Sequence, residues 1–519
     1  LVGVAFALPS RSYMNIYPEY AGLIKEICAD KIIKRELLEL QMQVFYCMDA
    51  ERDNETIQRD IMPGILKNQN IRFTWNGVEE KEEDPLQDLL DPDAEDKAME
   101  ELEQSIRKMM NMQQNGVDIY FGGFSQMKRF AFFYTLSNWF TPFYIEHPAL
   151  ATIVDKLRGN RFLQLLVDNA SFCDSDKYSF ALALSTIIDR LPENMREMLN
   201  HQDALGIEMG DFDTNSSAYI RRMYLQDLYR FFRVYTQKSD FRNPFDYHAD
   251  ASFFFLANDA FGQSALTEHA LTLGRFLLKR KKYDELLKLL AVYRQCEDPE
   301  YHIIKGTLLL QTGNYADAQS EFKIVHELDA TNEQVLKGLA LSSFRCSDYE
   351  TAEQCYRTLT DLHPDHIRFQ LNQSIAQINN NQVDEGLHTL HKLNYEHPEN
   401  PNVSRALAWG MLIQGSLAQA EQMYDKLTQS DSGADSSDYL NAGYCQWFSG
   451  HVTEAAAFFV KFLALTRTTR PSSSKPSAAD ATQLLKDAFA GDEMLLKGQG
   501  IKEVDILLML DIVEDLQDQ

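Results

Sequence analysis

The sequence predicts an all-α fold: an α-solenoid of stacked helix pairs in the C-terminal half, preceded by an irregular helical N-terminal region. Three observations carry the prediction. A set of small, aromatic and helix-breaking positions repeats every 34 residues between about 299 and 432. Elsewhere apolar residues recur at three- and four-residue steps, the period of a helix face. No series of alternating strands joined by hairpin turns stands out, although Ile71 to Trp75 reads as one short strand.

The repeat comes first because it fixes the architecture. Gly306, Ala340, Ser374 and Ala408 stand at steps of 34 early in each unit, where a small side chain lets a second helix approach. Gly313, Asn381 and Gly415 turn the chain between helices. Ala318, Ala352, Gly386 and Ala420 keep the crossing point small, and Phe322, Tyr356, Leu390 and Tyr424 follow as large packing residues. Tyr315 and Tyr349 keep the same spacing, and Pro364 and Pro398 close their units because proline cannot continue the hydrogen-bond ladder.

These positions resemble those of the tetratricopeptide repeat family. The match covers about four units over 299–432 and extends to five or six units over 266–469. Upstream, Leu273, Gly274 and Tyr283 fit a unit in which Leu286 replaces the small crossing residue. Downstream, Gly443, Gly450, Ala455 and Phe459 fit a unit shifted by one residue. The resemblance implies antiparallel helix pairs in a right-handed superhelix, each pair buried only against its neighbours. It also implies a concave face lined by first helices that takes a protein or peptide partner. On that face it places Ile303 and Thr307, then Lys337, Leu341 and Phe344, then Arg368, Asn372, Ile375 and Asn379, then Arg405, Trp409 and Leu412. One subclass grips a C-terminal carboxylate with Lys and Asn. Here Lys337 and Asn372 match, but Leu341, Asn402 and Ala406 do not, so two of five positions agree and a full clamp is not expected. A hydrophobic peptide, or the chain's own N-terminal half, suits the apolar stripe.

The N-terminal half divides into a helical segment, 1–118, and an aromatic-rich helical region, 119–265. Leu23, Ile24 and Ile27, then Leu37, Leu38, Leu40 and Met42, mark helices between 19 and 60. Residues 79–103 hold 13 acidic side chains and two lysines and read as a solvated loop running into a helix near Ala98 to Met112. Residues 120–144 hold eleven aromatic side chains at helical spacing, which predicts core. Helices are expected at 178–191 and 219–236, and a junction at Asn243 to Asp250. Residues 470–519 read as a linker, Pro471 to Pro476, followed by helices that cap the solenoid.

Composition narrows the function. The 519-residue chain carries 77 acidic and 50 basic side chains, a net charge of −27. Nucleic acid and anionic membrane surfaces need clustered cations, so neither is expected as a partner. No apolar run reaches the ~18 residues of an integral membrane segment. The seven cysteines are irregularly spaced, without a CxxC pair, and read as reduced thiols of a cytoplasmic protein. The chain does not begin with Met, so a removed signal or lipid anchor stays open.

Catalytic motifs are missing: no Walker loop, Rossmann fingerprint, GxSxG elbow or HExxH occurs. Asp211, Asp213 and Asn215 begin like a calcium loop, but Ser216 stands where glycine is needed and Arg222 where a bidentate Glu is needed. Asp91, Asp93 and Glu95 fail at Leu102. The pairs His363 and His366, and His388 and His391, lack further ligands nearby and read as surface histidines. The expectation is a non-enzymatic scaffold for protein or peptide binding, without metal or cofactor. The alternative is a bacterial cell-surface glycan- or nutrient-binding protein carrying the same helices, which predicts exposed aromatics. A hydrolase hidden in residues 1–250 would need a deep polar pocket outside the groove.

Overall fold

The computed structural model describes residues 1–7, 18–67, 71–74, 77–80, 94–114, 116–157, 162–168, 172–190, 213–246, 253–261, 266–294, 297–429, 434–469 and 478–518. The middle of the expected acidic loop, Asp91 and Asp93, Asp211, the end of the Asn243 to Asp250 junction and the Pro471 to Pro476 linker lie outside these residues. The chain forms two compact units, Leu1–Cys296 and Glu297–Gln519. The molecule is overwhelmingly helical.

In the first unit the long helix α1 (Lys31–Thr56) is started by Asp30, whose carboxylate accepts the Ile32 and Ile33 N–H groups. One departure from the all-helical expectation follows. Strand β1 (Ile71–Thr74) pairs antiparallel with β2 (Gly77–Glu80), Ile71 opposite Glu80. The alternation of Ile71 and Phe73 and the Asn76-Gly77 dipeptide carried that hairpin signal. Helices α2 (Ala94–Gln114), α3 (Asp174–Ile187) and α4 (Ser217–Val234) complete the frame. Asp213 and Ser216, weighed above as part of a calcium loop, shape the start of α4: Ser216 Oγ accepts the Tyr219 N–H.

Two buried polar devices tie this unit together. Gln41 on α1 donates to the Phe253 carbonyl at 2.8 Å and accepts the Leu256 N–H at 3.1 Å. The second is ionic. Arg230 on α4 holds Asp118 through two hydrogen bonds of 2.6 and 3.0 Å and reaches Asp176 at 2.8 Å. Lys128 meets Asp176 at 2.8 Å and Ser175 at 2.6 Å, while the Ser175 N–H donates to Asp227 at 3.2 Å. All six side chains are buried.

The aromatic segment departs from its expectation. Only Phe121–Met127 is α-helical, and 3-10 turns follow at Ala131–Tyr134 and Leu136–Trp139. Trp139 Nε1 donates to the Phe133 carbonyl and Asn138 to the Phe132 carbonyl, folding the chain back on itself where a helix would otherwise propagate. Phe121, Phe124, Phe133 and Trp139 are buried, but Tyr134, Phe140 and Tyr144 are exposed.

Helices α5 (Thr267–Lys279) and α6 (Tyr283–Val292), read from sequence as the first solenoid unit, belong to this first unit. Phe276 packs its ring against Phe45 and Tyr46 of α1. Arg280 and Lys282 both pair with the buried Asp49, at 2.6 and 2.8 Å. Leu286, which fills the crossing position, is fully buried.

The second unit is the solenoid. Its pairs are α7 (Pro299–Gln311) with α8 (Tyr315–Leu328), α9 (Glu333–Arg345) with α10 (Tyr349–Leu362), α11 (Ile367–Asn379) with α12 (Val383–Glu396), α13 (Pro401–Gln414) with α14 (Leu417–Gln429), and α15 (Ser436–Phe448) with α16 (Val452–Thr469). First helices start at 299, 333, 367 and 401, and the last is delayed to 436. Their N-terminal N–H groups are met by Asp298, Asn332, Asn400 and Asp435. The inter-helix turns adopt the left-handed region at Gly313, Ser347, Asn381, Gly415 and Gly450. Small residues then let the helices close. A Cβ on Gly306 would stand 3.0 Å from the Phe322 ring, and one on Gly338 only 2.4 Å from it.

Helices α17 (Ala478–Gly491) and α18 (Glu503–Asp518) pack at the end of α16. Phe489 meets the rings of Tyr444, Trp447 and Phe459, and the Tyr444 hydroxyl donates to Asp492 at 2.9 Å. Met509, Leu510 and Val513 are buried in the same core.

Candidate functional site

Successive first helices stand side by side, so residues one repeat apart face the same way. Between α11 and α13, with α15 beyond, they enclose an open cleft of about 650 Å³. Helix α11 contributes Arg368, Asn372 and Ile375, and α13 contributes Arg405 and Trp409. Five of the twelve residues expected on the concave face therefore converge. Ile367, Leu371 and Ala406 add apolar wall, and Asn400, Asn402 and Asn441 add amides.

The other seven do not line the cleft, and four of them are placed in distinct ways. Lys337 and Leu341 are exposed on α9 without lining the cleft. Phe344 is half-buried against the Tyr349 ring at 5.3 Å. Leu412 needs correction as a surface residue: it is fully buried. It follows Ala408 by four residues, which puts both on the core stripe of α13.

Sequence reasoning missed Asn441 because the last unit carries one extra residue. Counting 34 from Asn372 reaches Ala406, and counting 35 more reaches Asn441, so the three are equivalent positions. That shift, visible at Gly443, was the available signal. Asn400 and Asn402 belong to the start of α13. There the Asn400 side-chain oxygen accepts the Asn402 N–H at 3.1 Å, and Asn402 Oδ1 accepts from Arg405 at 3.4 Å.

The charges of the cleft are unequal in availability. Arg405 Nε lies 2.9 Å from both oxygens of Asp438 and 3.5 Å from Asp435, so its charge is balanced from behind. Arg368 is exposed and pairs with no described carboxylate. Lys337 on the neighbouring helix is engaged by Glu333, whose pKa that contact lowers, and sits 5.2 Å above the Phe369 ring. Burial pushes the Tyr356 hydroxyl up, while a hydrogen bond with Asn372 and the Arg368 charge oppose it. Among the described residues no Asp, Glu, His, Cys, Ser, Lys or Tyr lines the cleft.

A second cleft of about 440 Å³ lies on the first unit, lined by Leu136, Phe140, Tyr224, Phe231 and Phe241, with few polar atoms. Among the described residues no group of three or more His, Cys, Asp or Glu is placed to hold a metal. His363 contacts Glu333 at 3.3 Å, and His366 stacks on Phe369 at 4.0 Å. No described helix is long and apolar enough to cross a membrane.

No protein-family model matches the chain, and no curated protein sequence matches it either. Solved structures do. A tetratricopeptide repeat protein from Parabacteroides merdae is 17% identical, with 41% of this chain and 86% of that one covered at a TM-score of 0.33. TTC0263, a tetratricopeptide repeat protein of Thermus thermophilus, is 16% identical over 32% of this chain and 91% of its own, TM-score 0.28. PilF of Pseudomonas aeruginosa is 17% identical over 38% and 91%, TM-score 0.29. The 34-residue spacing of helix starts, turns and crossing residues makes the second unit a solenoid of helix pairs similar to tetratricopeptide repeats.

Proposed function

We propose that the chain is a non-enzymatic scaffold that holds a segment of a protein partner in the cleft between α11 and α13. The observation that carries this reading is the convergence of Arg368, Asn372, Ile375, Arg405 and Trp409 on one open cleft. Apolar wall beside amides and a guanidinium suits a peptide, whose side chains seek the wall and whose carbonyls and N–H groups seek the amides. Among the described residues the lining offers no nucleophile and no general acid or base, which speaks for binding over catalysis. A net charge of −27 speaks against nucleic acid. The exposed aromatics of the first unit are what a glycan-binding surface would show. Their cleft lacks the ring of polar partners that sugar hydroxyls need, so the peptide reading is preferred.

The test is site-specific photo-cross-linking. A benzophenone amino acid replaces Ile375 in the cleft or, as control, Tyr395 on α12, which is 88% exposed. Partner adducts are expected from position 375 and not from 395. Adducts from 395 alone would move the working surface to the second helices and defeat the proposal.

A further inference from the structure

Resting on the peptide-binding reading, we infer that the ligand is an acidic segment. An internal Asp or Glu carboxylate seats on Arg368, and a neighbouring apolar side chain packs on Ile375 and Trp409. Lys305, Lys337 and Arg405 on the first helices each face a carboxylate of this chain: Glu321, Glu333 and Asp438. Arg368 faces none among the described residues, yet it lines the cleft. Arg345, the other first-helix cation without a carboxylate among the described residues, lies 5.9 Å over the Tyr315 ring and does not line the cleft, which leaves Arg368 as the cleft's unbalanced charge. A guanidinium matches a carboxylate in a two-pronged geometry that an ammonium cannot reproduce. Among the described residues no acidic side chain lines the cleft to receive a basic peptide.

The apolar half follows from Ile375 and Trp409, both half-buried and facing the same space. Asn372, Asn400 and Asn402 supply donors and acceptors without charge, which fits main-chain amides of an extended segment. The carboxylate is internal because a chain terminus gripped by two cations would need Lys337, and Glu333 neutralises it.

The test is selection of a random dodecapeptide library, displayed with its C-terminus fused to a phage coat protein, on the full chain. Expected are enriched peptides with Asp or Glu beside an apolar residue, and loss of the acidic preference on Arg368→Gln. A selected peptide is then synthesised with its acid replaced by Gln and measured by fluorescence anisotropy. The replacement weakens binding to the wild-type chain about fivefold and leaves binding to Arg368→Gln unchanged, as a cycle between paired charges requires. Enriched peptides without acidic excess, or an acidic preference that survives Arg368→Gln, overturn the inference while the cleft stands as a binding site. No enrichment above an uncoated control overturns both.

Discussion

At the scale of single residues, the buried ionic group of the first unit has the largest energetic stake. Asp227 is buried beside Ser175, Asp176 and Lys128, and burial pushes its carboxyl up to about 6, against the pull of Lys128 and of hydrogen bonds from Ser175 and Cys173. The unfolded chain ionises this group near its ordinary value of 3.8, so between there and about 6 the folded state binds the proton more tightly. Stability therefore falls as pH rises through that window, and the loss is complete above it. Asp227→Asn keeps an acceptor for the Ser175 N–H and removes the ionisation. It should stabilise the fold at pH 8 by up to roughly 3 kcal/mol, read as a higher melting temperature, and change little at pH 3, below both values. A variant less stable than the wild type at pH 8 would show that the ionised carboxylate is a net attraction. None of this was legible in the sequence. Asp118, Lys128, Asp176 and Arg230 are brought together across 112 residues of chain, and no local pattern encodes such a meeting.

At the scale of the helix pair, the sequence was far more informative, because each pair solves the same packing problem 34 residues after the last. Gly306 lies against the Phe322 ring, as a small residue at its position should. Two features escaped. Ser347 occupies the left-handed turn that glycine fills in three other units and Asn381 in a fourth, and a serine gives no sign of a positive φ. Gly338 closes on Phe322 from the following first helix, at a position where the other units carry larger residues and no periodicity shows. The two glycines also separate by magnitude. Alanine at 338 would meet Phe322 at 2.4 Å, and at 306 at 3.0 Å. Phe322 is buried and cannot swing aside. Alanine gains about 1 kcal/mol of helix propensity over glycine, and overpacking costs about 1–3 kcal/mol, so the clash decides. Gly338→Ala should lower the urea midpoint clearly, and Gly306→Ala less or not at all. Equal effects would mean that the α8–α9 contact gives way more easily than its geometry suggests.

At the scale of the whole molecule, what was readable follows the reach of each interaction. The solenoid is held by neighbours close in sequence, so helix order and five cleft residues could be read, and the hairpin left a local signal in Ile71, Phe73 and Asn76-Gly77, whereas the buried ionic group of the first unit joins residues 112 apart and left none. In a stack of pairs each element contacts mainly the next, so removing an end should be felt locally. Deleting residues 478–519 strips Phe489 from Tyr444, Trp447 and Phe459 and leaves the Tyr444 hydroxyl without Asp492. Those aromatics would then face water at the end of the stack, a cost on the order of 25 cal/mol for each Å² of apolar surface exposed. Amide hydrogen exchange on the shortened chain should therefore speed up in α15 and α16 and stay near wild type in α7 to α9, with increased binding of an apolar dye. Uniform loss of protection from α7 to α16 would mean that the solenoid unfolds as one cooperative block, with α17 and α18 holding all of it.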